Sequence, residues 1–134
     1  MHIKDMMKTD LFVLNENDTI KNASDIMKLE KIRHIPIVDK DYRLVGLVTH
    51  RDLLRALAFK PGSIQIKEIM RKEVKAVGPD TPLKGAIDVM IVNKFGCLPV
   101  VDANRKLLGI VTEIDLLKTL YDISTMPSDF YITK

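Results

Sequence analysis

An internal repeat constrains the fold of this chain more than any other feature of its sequence. Residues 3–57 align without a gap onto residues 66–120, at a constant offset of 63, and 19 of the 55 aligned pairs are identical. Similar cores explain matching apolar positions, but they do not explain why Gly, Thr and Asp recur at the same offset. The 134-residue chain is therefore expected to contain two copies of one half-size unit.

Three apolar runs in the first copy have the length of strands. They cover residues 11–14, 35–38 and 44–48, and the last two are separated by a short polar turn, which is typical of a β-hairpin. The second copy repeats the same runs at the offset of 63. Each copy is thus expected to supply three short strands.

Two helices complete each copy. In the first copy, Asp18 or Thr19 can cap a helix that runs to about Lys31, and Thr49 can open another. In the second copy, Pro82 is expected in the first turn of the long helix, where its missing N–H costs nothing. The predicted order of elements in each copy is β-α-β-β-α.

The size of the repeat predicts how the two copies pack. A unit of about 55 residues is too small to be reliably stable alone. We therefore expect an α+β fold in which two units, related by a pseudo-twofold axis, pack through their sheets, so that any cleft between them occurs twice. The predicted divisions are copy one at residues 1–59, a linker at 60–65, copy two at 66–121 and a C-terminal tail at 122–134.

Composition argues against several classes of protein. No run approaches the roughly 20 apolar residues that a bilayer span needs. The first residues are charged and lack the apolar stretch of a signal peptide, which predicts a cytoplasmic protein. Cys97 is the single cysteine, which excludes an intrachain disulfide.

Charge and aromatic content disfavour nucleic acid as a partner. The net charge is only +3, the basic residues lie among acidic ones, Trp is absent, and the four Phe and three Tyr are dispersed. A nucleic-acid binder is expected to show a basic stripe or stacking aromatics. No motif for nucleotide hydrolysis, acyl transfer or zinc proteolysis is present, so no catalytic residue and no metal site is predicted.

A Thr and an Asp lie three residues apart where a strand passes into a helix, at Thr49 and Asp52 and again at Thr112 and Asp115. One interpretation is a capping box that needs no ligand. The other is a binding site, because a helix N-terminus attracts anions and a carboxylate accepts hydrogen bonds from a pair of sugar hydroxyls. In both copies the Gly three residues before the Thr is expected to let another backbone approach.

These residues carry a resemblance to a known family. The repeated aliphatic-Pro-aliphatic-Val-Asp strand followed by Gly-x-x-Thr-x-x-Asp resembles a tandem pair of CBS motifs, a Bateman module, as in small stand-alone CBS-domain proteins. The resemblance covers about 110 of the 134 residues. It implies a regulatory module, not an enzyme, that requires no cofactor and binds an adenosine-containing ligand (AMP, ADP, ATP or S-adenosylmethionine) between the motifs. It also implies a homodimer, a disc of four motifs, and allows for a regulated protein in trans.

The same resemblance implies which residues form each cleft, with the Asp holding the ribose hydroxyls. Site one would combine Phe12, Ile32, Arg33, His34, Ile35, Ile110, Thr112 and Asp115. Site two would combine Leu47, Thr49, His50, Arg51, Asp52, Lys75, Ala76, Phe95, Gly96, Cys97 and Leu98.

Departures from the repeat predict that the two sites bind ligand with unequal affinity. At the helix start, Glu113 and Ile114 replace His50 and Arg51, so the basic pair is present in one copy only. A polyphosphate at site one would depend on the basic pair at residues 33–34.

Other interpretations concern metal binding, the role of Cys97 and two alternative functions. His2, His34 and His50 lack metal-ligand spacing. Cys97, at the start of a predicted strand, is expected to be a packed small hydrophobe. The alternative functions are a structural or oligomerisation module whose pockets are vestigial, and a nucleic-acid-binding CBS protein.

Overall fold

The fold is given by a computed structural model, which describes residues 1–59 and 64–123. We call the first copy motif 1 and the second motif 2. Motif 1 contains a 3-10 turn (Ile3–Asp5), α1 (Ile20–Glu30), β1 (His34–Val38), β2 (Leu44–Thr49) and α2 (His50–Phe59). Motif 2 contains a 3-10 turn (Ile66–Glu68), α3 (Leu83–Asn93), β3 (Cys97–Val101), β4 (Leu107–Thr112) and α4 (Glu113–Ile123).

The predicted hairpins are confirmed. β1 pairs with β2, and β3 with β4, as two antiparallel two-stranded sheets. Each turn is held by an aspartate whose carboxylate accepts two backbone hydrogen bonds. Asp39 Oδ1 accepts from the N–H groups of Asp41 and Arg43, both at 2.9 Å, and Asp102 does the same in motif 2. This explains why the Asp after each Val recurs in the repeat.

The start of α1 agrees with the prediction from the sequence, whereas the start of α3 differs from it by one residue. Thr19 caps α1, and its hydroxyl accepts from the N–H of Asn22 at 3.2 Å. Pro82 occupies the N-cap of α3 rather than its first turn, so that prediction was wrong by one residue. A cap residue has extended backbone, and Pro82, with φ −59° and ψ 142°, adopts it.

The strand predicted over residues 11–14 was wrong. Only Leu14 makes a bridge, a parallel one to Ile37 of β1, whereas earlier in the same segment Lys8 bridges to Ile110 of β4. The segment passes from one hairpin to the other instead of running along either. Its apolar residues Leu11 and Val13 pack between the motifs.

The 3-10 turn of each motif packs into the core of the other motif. Ile3 is fully buried and packs with Ala86 and Leu98 in the core of motif 2, whereas Ile66 is fully buried in the core of motif 1. The backbone confirms this exchange, because the N–H of Ile3 donates to Thr81 at 2.9 Å. Nothing in the predicted order of elements indicates this crossover.

The two hairpins face each other, as predicted. The N–H of Leu44 donates to the carbonyl of Arg105, and the N–H of Leu107 to that of Tyr42, both at 3.0 Å. Because these two bonds interchange under the offset of 63, they lie symmetrically about a pseudo-twofold axis.

Two apolar clusters lie between the motifs. One contains Val38, Leu44 and Leu107, and the other contains Leu47, Cys97 and Ile110. The fold class is α+β.

The predicted linker and tail lie partly outside the described residues. Of the linker, residues 60–63 fall outside, whereas Ile64 packs in the core of motif 1 and its carbonyl accepts from the N–H of Ile20 at 2.9 Å. Of the tail, residues 124–134 fall outside. No helix within the described ranges is long and apolar enough to cross a membrane.

Candidate functional site

The Thr-x-x-Asp peptides form capping boxes at the starts of α2 and α4. In motif 1, the N–H of Thr49 donates to Asp52 Oδ2 at 3.1 Å, and the N–H of Asp52 donates to Thr49 Oγ1 at 3.2 Å. In motif 2, the N–H of Thr112 donates to Asp115 Oδ2 at 2.9 Å, and the N–H of Asp115 donates to Thr112 Oγ1 at 3.3 Å. The capping interpretation is therefore confirmed, and it accounts for one carboxylate oxygen of each Asp.

Both carboxylates are largely withdrawn from solvent, and each has a cation beside it. The side chain of Asp52 is 12% exposed, with Arg71 Nε 3.4 Å from its Oδ2. The side chain of Asp115 is 6% exposed, with Lys8 Nζ 3.3 Å from its Oδ1. Lys8 and Arg71 occupy equivalent positions of the repeat, just after the exchanged turn. Because the turn crosses over, each cation reaches the Asp of the other motif.

Sequence reasoning missed Lys8 and Arg71, although a signal was present. The two positions align at the offset of 63, and both hold a basic residue. Their contacts with the aspartates depend on the crossover, which brings Lys8 to Asp115 and Arg71 to Asp52.

The recurrence of glycine at positions 46 and 109 of the repeat is explained by the same crossing segment. A Cβ on Gly46 would lie 2.6 Å from Met70 Sδ and 3.0 Å from the carbonyl oxygen of Arg71. A Cβ on Gly109 would lie 2.8 Å from the carbonyl oxygen of Lys8. The expectation that glycine admits another backbone is confirmed. The absence of a side chain brings the crossing segment, and its cation, against the strand that leads to the Thr.

His34 lies at the boundary between the motifs, beside the start of α4. Its Nε2 is 3.1 Å, and Glu113 Oε1 is 3.8 Å, from the point where a Cβ on Gly96 would stand. Burial lowers the pKa of His34, and Glu113 opposes this by raising it, while Arg33 and Arg71 lower it further. The imidazole is therefore uncharged at neutral pH, and it can offer a phosphate a hydrogen bond but not a full charge. The neighbouring Arg33 is exposed.

Of two residues predicted for site two, Cys97 packs against another predicted member, Leu47, whereas Lys75 donates to Asn93, outside the predicted set. Cys97 packs between the motifs with Leu47 and Ile110, and burial raises the pKa of its thiol to about 12. It is a packed hydrophobe, as expected, since a thiol with that pKa holds little nucleophilic thiolate. Lys75 is exposed, and its Nζ donates to Asn93 Oδ1 at 3.0 Å.

The side chains of Ile35 and Leu98 correct the list of site residues. Both are fully buried in the cores of their motifs, so only their backbone can face a cleft. Ile32 likewise packs against the core of motif 1, and Phe95 against that of motif 2. Ile35 lies in β1 and Leu98 in β3, and the alternation of a strand places these two side chains on its inner face, whereas Ile32 and Phe95 precede the strands and are only partly buried.

Four other predicted residues are either exposed or packed between the motifs. Phe12 is 40% exposed, and Ala76 packs between the motifs beside Leu44 and Leu107. His50 and Arg51 are exposed in the first turn of α2. Within residues 1–59 and 64–123, no three His, Cys, Asp or Glu side chains are grouped to hold a metal ion.

A second concave surface lies between α3 and α4, and its lining includes Glu113 and Phe95, the latter predicted for site two. It is a groove of about 610 Å³ lined mainly by apolar side chains, among them Ile87, Ile91, Leu117 and Leu120. Ile91, Leu117 and Leu120 are each at least 60% exposed. Such a patch marks an interaction surface rather than an ordinary solvated face.

Curated relatives match almost the whole chain. The chain is 34% identical over 124 residues to an uncharacterized 17.7 kDa protein of Acidianus ambivalens, covering 92% of this chain and 76% of that protein. It is also 34% identical over 119 residues to a homoserine O-acetyltransferase of Methanohalobium evestigatum, covering 89% of this chain but only 24% of that enzyme. The matched region is therefore one part of a larger protein in the second relative.

Solved structures match equally well. The CBS domain pair of protein MJ0100, solved in complex with 5′-methylthioadenosine and S-adenosyl-L-methionine, superposes with a TM-score of 0.85 at 31% identity, over 92% of this chain and 98% of that chain. CBSX2 in complex with AMP superposes with a TM-score of 0.81 at 26% identity, over 91% and 97% of the two chains. The profile of the CBS domain matches residues 3–59 and again residues 66–122. With its repeated signature and its two facing hairpins, the chain belongs to the CBS-domain family, as a tandem CBS pair.

Proposed function

We propose that this chain is a regulatory module that binds an adenosine-containing ligand at Asp52 and at Asp115. The observation that carries the proposal is the duplicated site itself. In both motifs, a mostly buried carboxylate lies at the start of a helix, beside a segment that belongs to the other motif. A carboxylate so placed can accept hydrogen bonds from the two vicinal hydroxyls of a ribose.

The surroundings suit the rest of such a ligand. The first turns of α2 and α4 offer a positive dipole end to a phosphate or carboxylate group. At Asp52, the exposed His50 and Arg51 add donors at the same end of α2. At Asp115, Glu113 stands at the repeat position of His50. Of the basic pair predicted for this site, Arg33 and His34, the Arg33 guanidinium is the cation. We therefore expect the Asp52 site to tolerate more negative charge on its ligand.

Occupancy would be transmitted through the arrangement of the motifs. Each site joins a helix of one motif to the crossing segment of the other, so that a ligand contacts both. A ligand shifts a conformational equilibrium only by its difference in affinity for the two states, and a site divided between two bodies provides such a difference. We propose no catalytic step for this chain.

The related proteins support the choice of ligand class. MJ0100 binds 5′-methylthioadenosine and S-adenosyl-L-methionine, and CBSX2 binds AMP. These molecules share the adenosine moiety and differ in charge beyond it. The shared moiety is what Asp52 and Asp115 are proposed to recognise.

Titration calorimetry tests the proposal. With AMP, ATP and S-adenosylmethionine as a panel, we expect at least one ligand to bind the wild-type protein at two sites of unequal affinity. Asp52→Ala should remove one site and Asp115→Ala the other, because each removes the acceptor for the ribose. Two exposed aspartates at equivalent positions, Asp25 and Asp88, supply matched control variants that should bind as wild type. Binding that persists in the double Asp52/Asp115 variant would refute the proposal.

One observation favours a second candidate, a structural module with vestigial pockets. The capping boxes are complete without any ligand, so the Thr-x-x-Asp spacing has a purely structural use. A thermal-shift screen separates the two functions, because a ligand that binds only the folded state raises Tm. If no adenosine derivative raises Tm at millimolar concentration, the structural function is the better account.

We also propose that the chain forms a homodimer through its exposed helical faces. Besides the residues that line the groove, α4 exposes two further large side chains, Ile114 and Tyr121, which are 56% and 69% exposed. In a twofold dimer the apolar patch of one subunit packs against the same patch of the other, so both patches become buried. A second copy of the chain is thus the simplest occupant of this face.

A further inference from the structure

We propose that Lys8 is a built-in competitor for ligand at the Asp115 site, so that the Asp52 site fills first. This inference rests on the proposed function, because it concerns how each aspartate meets a ribose. It assigns a binding role to a residue outside the sequence signature, and it names the physical origin of unequal affinity.

At Asp115, both carboxylate oxygens are already engaged. Oδ2 accepts from the N–H and from the hydroxyl of Thr112, both at 2.9 Å. Oδ1 faces Lys8 Nζ at 3.3 Å. A ribose that donates to Oδ1 must therefore displace the ammonium group or share the oxygen with it.

At Asp52, the corresponding oxygen is open. Thr49 N–H and Arg71 Nε both reach Oδ2, at 3.1 and 3.4 Å. Within residues 1–59 and 64–123, no hydrogen bond or ion pair reaches Asp52 Oδ1. A ribose hydroxyl can therefore bind Oδ1 without breaking an existing contact.

The backbone of Lys8 is fixed by hydrogen bonds, whereas its side chain is partly exposed to solvent. The N–H of Lys8 donates to the carbonyl of Ile110 at 2.9 Å, and the N–H of Ile110 donates back at 3.0 Å, so the residue cannot drift from the site. Its side chain is 52% exposed, and the ammonium can move into water at small cost. Ribose hydroxyls that replace the ammonium keep the nearly buried Asp115 carboxylate paired with donors.

This geometry predicts a sequence of binding events. The open Asp52 site takes ligand first. At higher concentration, the ribose hydroxyls replace Lys8 at Asp115, and the ammonium group is released to solvent. Removing the ammonium should then strengthen binding at Asp115 alone.

The test isolates the Asp115 site and uses a ligand without charge. In an Asp52→Asn background, adenosine binding is measured by calorimetry for three further variants. Lys8→Met should bind adenosine about two- to fivefold more tightly than its parent, the range that one partly exposed ion pair is worth. Lys8→Arg, which keeps the charge, should stay near the parent. Lys4→Met removes the same charge from the same crossing segment, where Lys4 pairs with the exposed Asp80, and should bind as the parent does.

The outcomes separate this inference from the proposed function. If Lys8→Met binds adenosine equally or less tightly than its parent, the competitor role is wrong while the binding site stands. If neither the wild type nor the Asp52→Asn parent binds adenosine, the inference falls, and the proposed function falls with it only when AMP, ATP and S-adenosylmethionine also fail to bind the wild type. Lys8→Met made with Asp52 intact reports on folding, because its first site should keep wild-type affinity. Loss of that site as well would show that Lys8 is structural, which also overturns the inference.

Discussion

Asp52 and Asp115 each perform two tasks with one carboxylate. One oxygen satisfies the backbone at a helix start, and the other is directed at the crossing segment or left open. A helix cap of this kind stabilises a protein by about 1 kcal/mol, so the aspartates would be retained even without a ligand. What the cap does not require is the burial of the carboxylate between two motifs. That burial is the residue-scale argument for a binding site.

The close approach at Gly109 gives a prediction about stability. Gly109→Ala would place Cβ 2.8 Å from the Lys8 carbonyl oxygen, and backbone cannot yield as a flexible side chain does. We expect the free energy of unfolding to fall by about 1–3 kcal/mol, the usual cost of overpacking. Urea denaturation followed by circular dichroism measures it.

Gly85 in α3 is the matched control for that variant. A Cβ at Gly85 would meet nothing closer than 3.7 Å, and alanine is a better helix former than glycine by about 1 kcal/mol. Gly85→Ala should therefore leave stability unchanged or raise it. Equal destabilisation by both substitutions would show that the close contact at Gly109 is not the cause.

At the scale of elements, the exchanged turns tie the motifs together. Ile3 lies only three residues from the start of the sequence, yet it is fully buried in the core of motif 2. Ile66 makes the reciprocal contact in motif 1. Neither motif therefore completes its core from its own segment alone.

This exchange predicts that a change near residue 1 destabilises the second half of the protein. Ile3→Ala should lower the free energy of unfolding by about 2–5 kcal/mol, as for other buried isoleucines. Hydrogen exchange should show the greatest loss of protection in α3 and β3. A cost below about 1 kcal/mol, or loss of protection confined to residues 1–59, would contradict the crossover.

Local elements could be predicted from the sequence, whereas the exchange between motifs could not. The hairpins follow from apolar runs around a polar turn, and Thr19 marks the start of α1, because these signals act within a few residues. The segment at residues 11–14 has the apolar composition of a strand, but only Leu14 pairs with β1, because the chain pairs with β4 earlier, at Lys8, and then crosses between the hairpins. Likewise, Thr49 and Asp52 form a local motif, whereas Arg71 reaches Asp52 only through the crossover.

At the scale of the whole molecule, the apolar face of α3 and α4 predicts assembly. Leu117→Asp would place a charge in the centre of the patch, where a dimer would bury it without a partner. We expect light scattering to report a dimer for the wild type and a monomer for this variant. Lys40→Asp, in the exposed turn between β1 and β2, changes charge away from the patch and should leave the dimer intact. A monomeric wild type would remove the proposal of a homodimer.

Transmission of a signal also belongs to this scale. The proposed ligand sites lie between the motifs, and the apolar groove lies on α3 and α4, which begin at Leu83 and at Glu113. A change in the angle between motifs would therefore move the surface on which a second copy docks. Ligand binding and association are expected to be coupled, and the coupling must be reciprocal.

The central claim is that the two aspartates hold the ribose of an adenosine-containing ligand. A crystal structure of the protein grown with AMP tests it most directly. The account predicts AMP in the Asp52 cleft first, with a ribose hydroxyl about 3 Å from Oδ1, and in the Asp115 cleft only where Lys8 has moved away. AMP bound elsewhere, or both clefts empty at a saturating concentration, would contradict it.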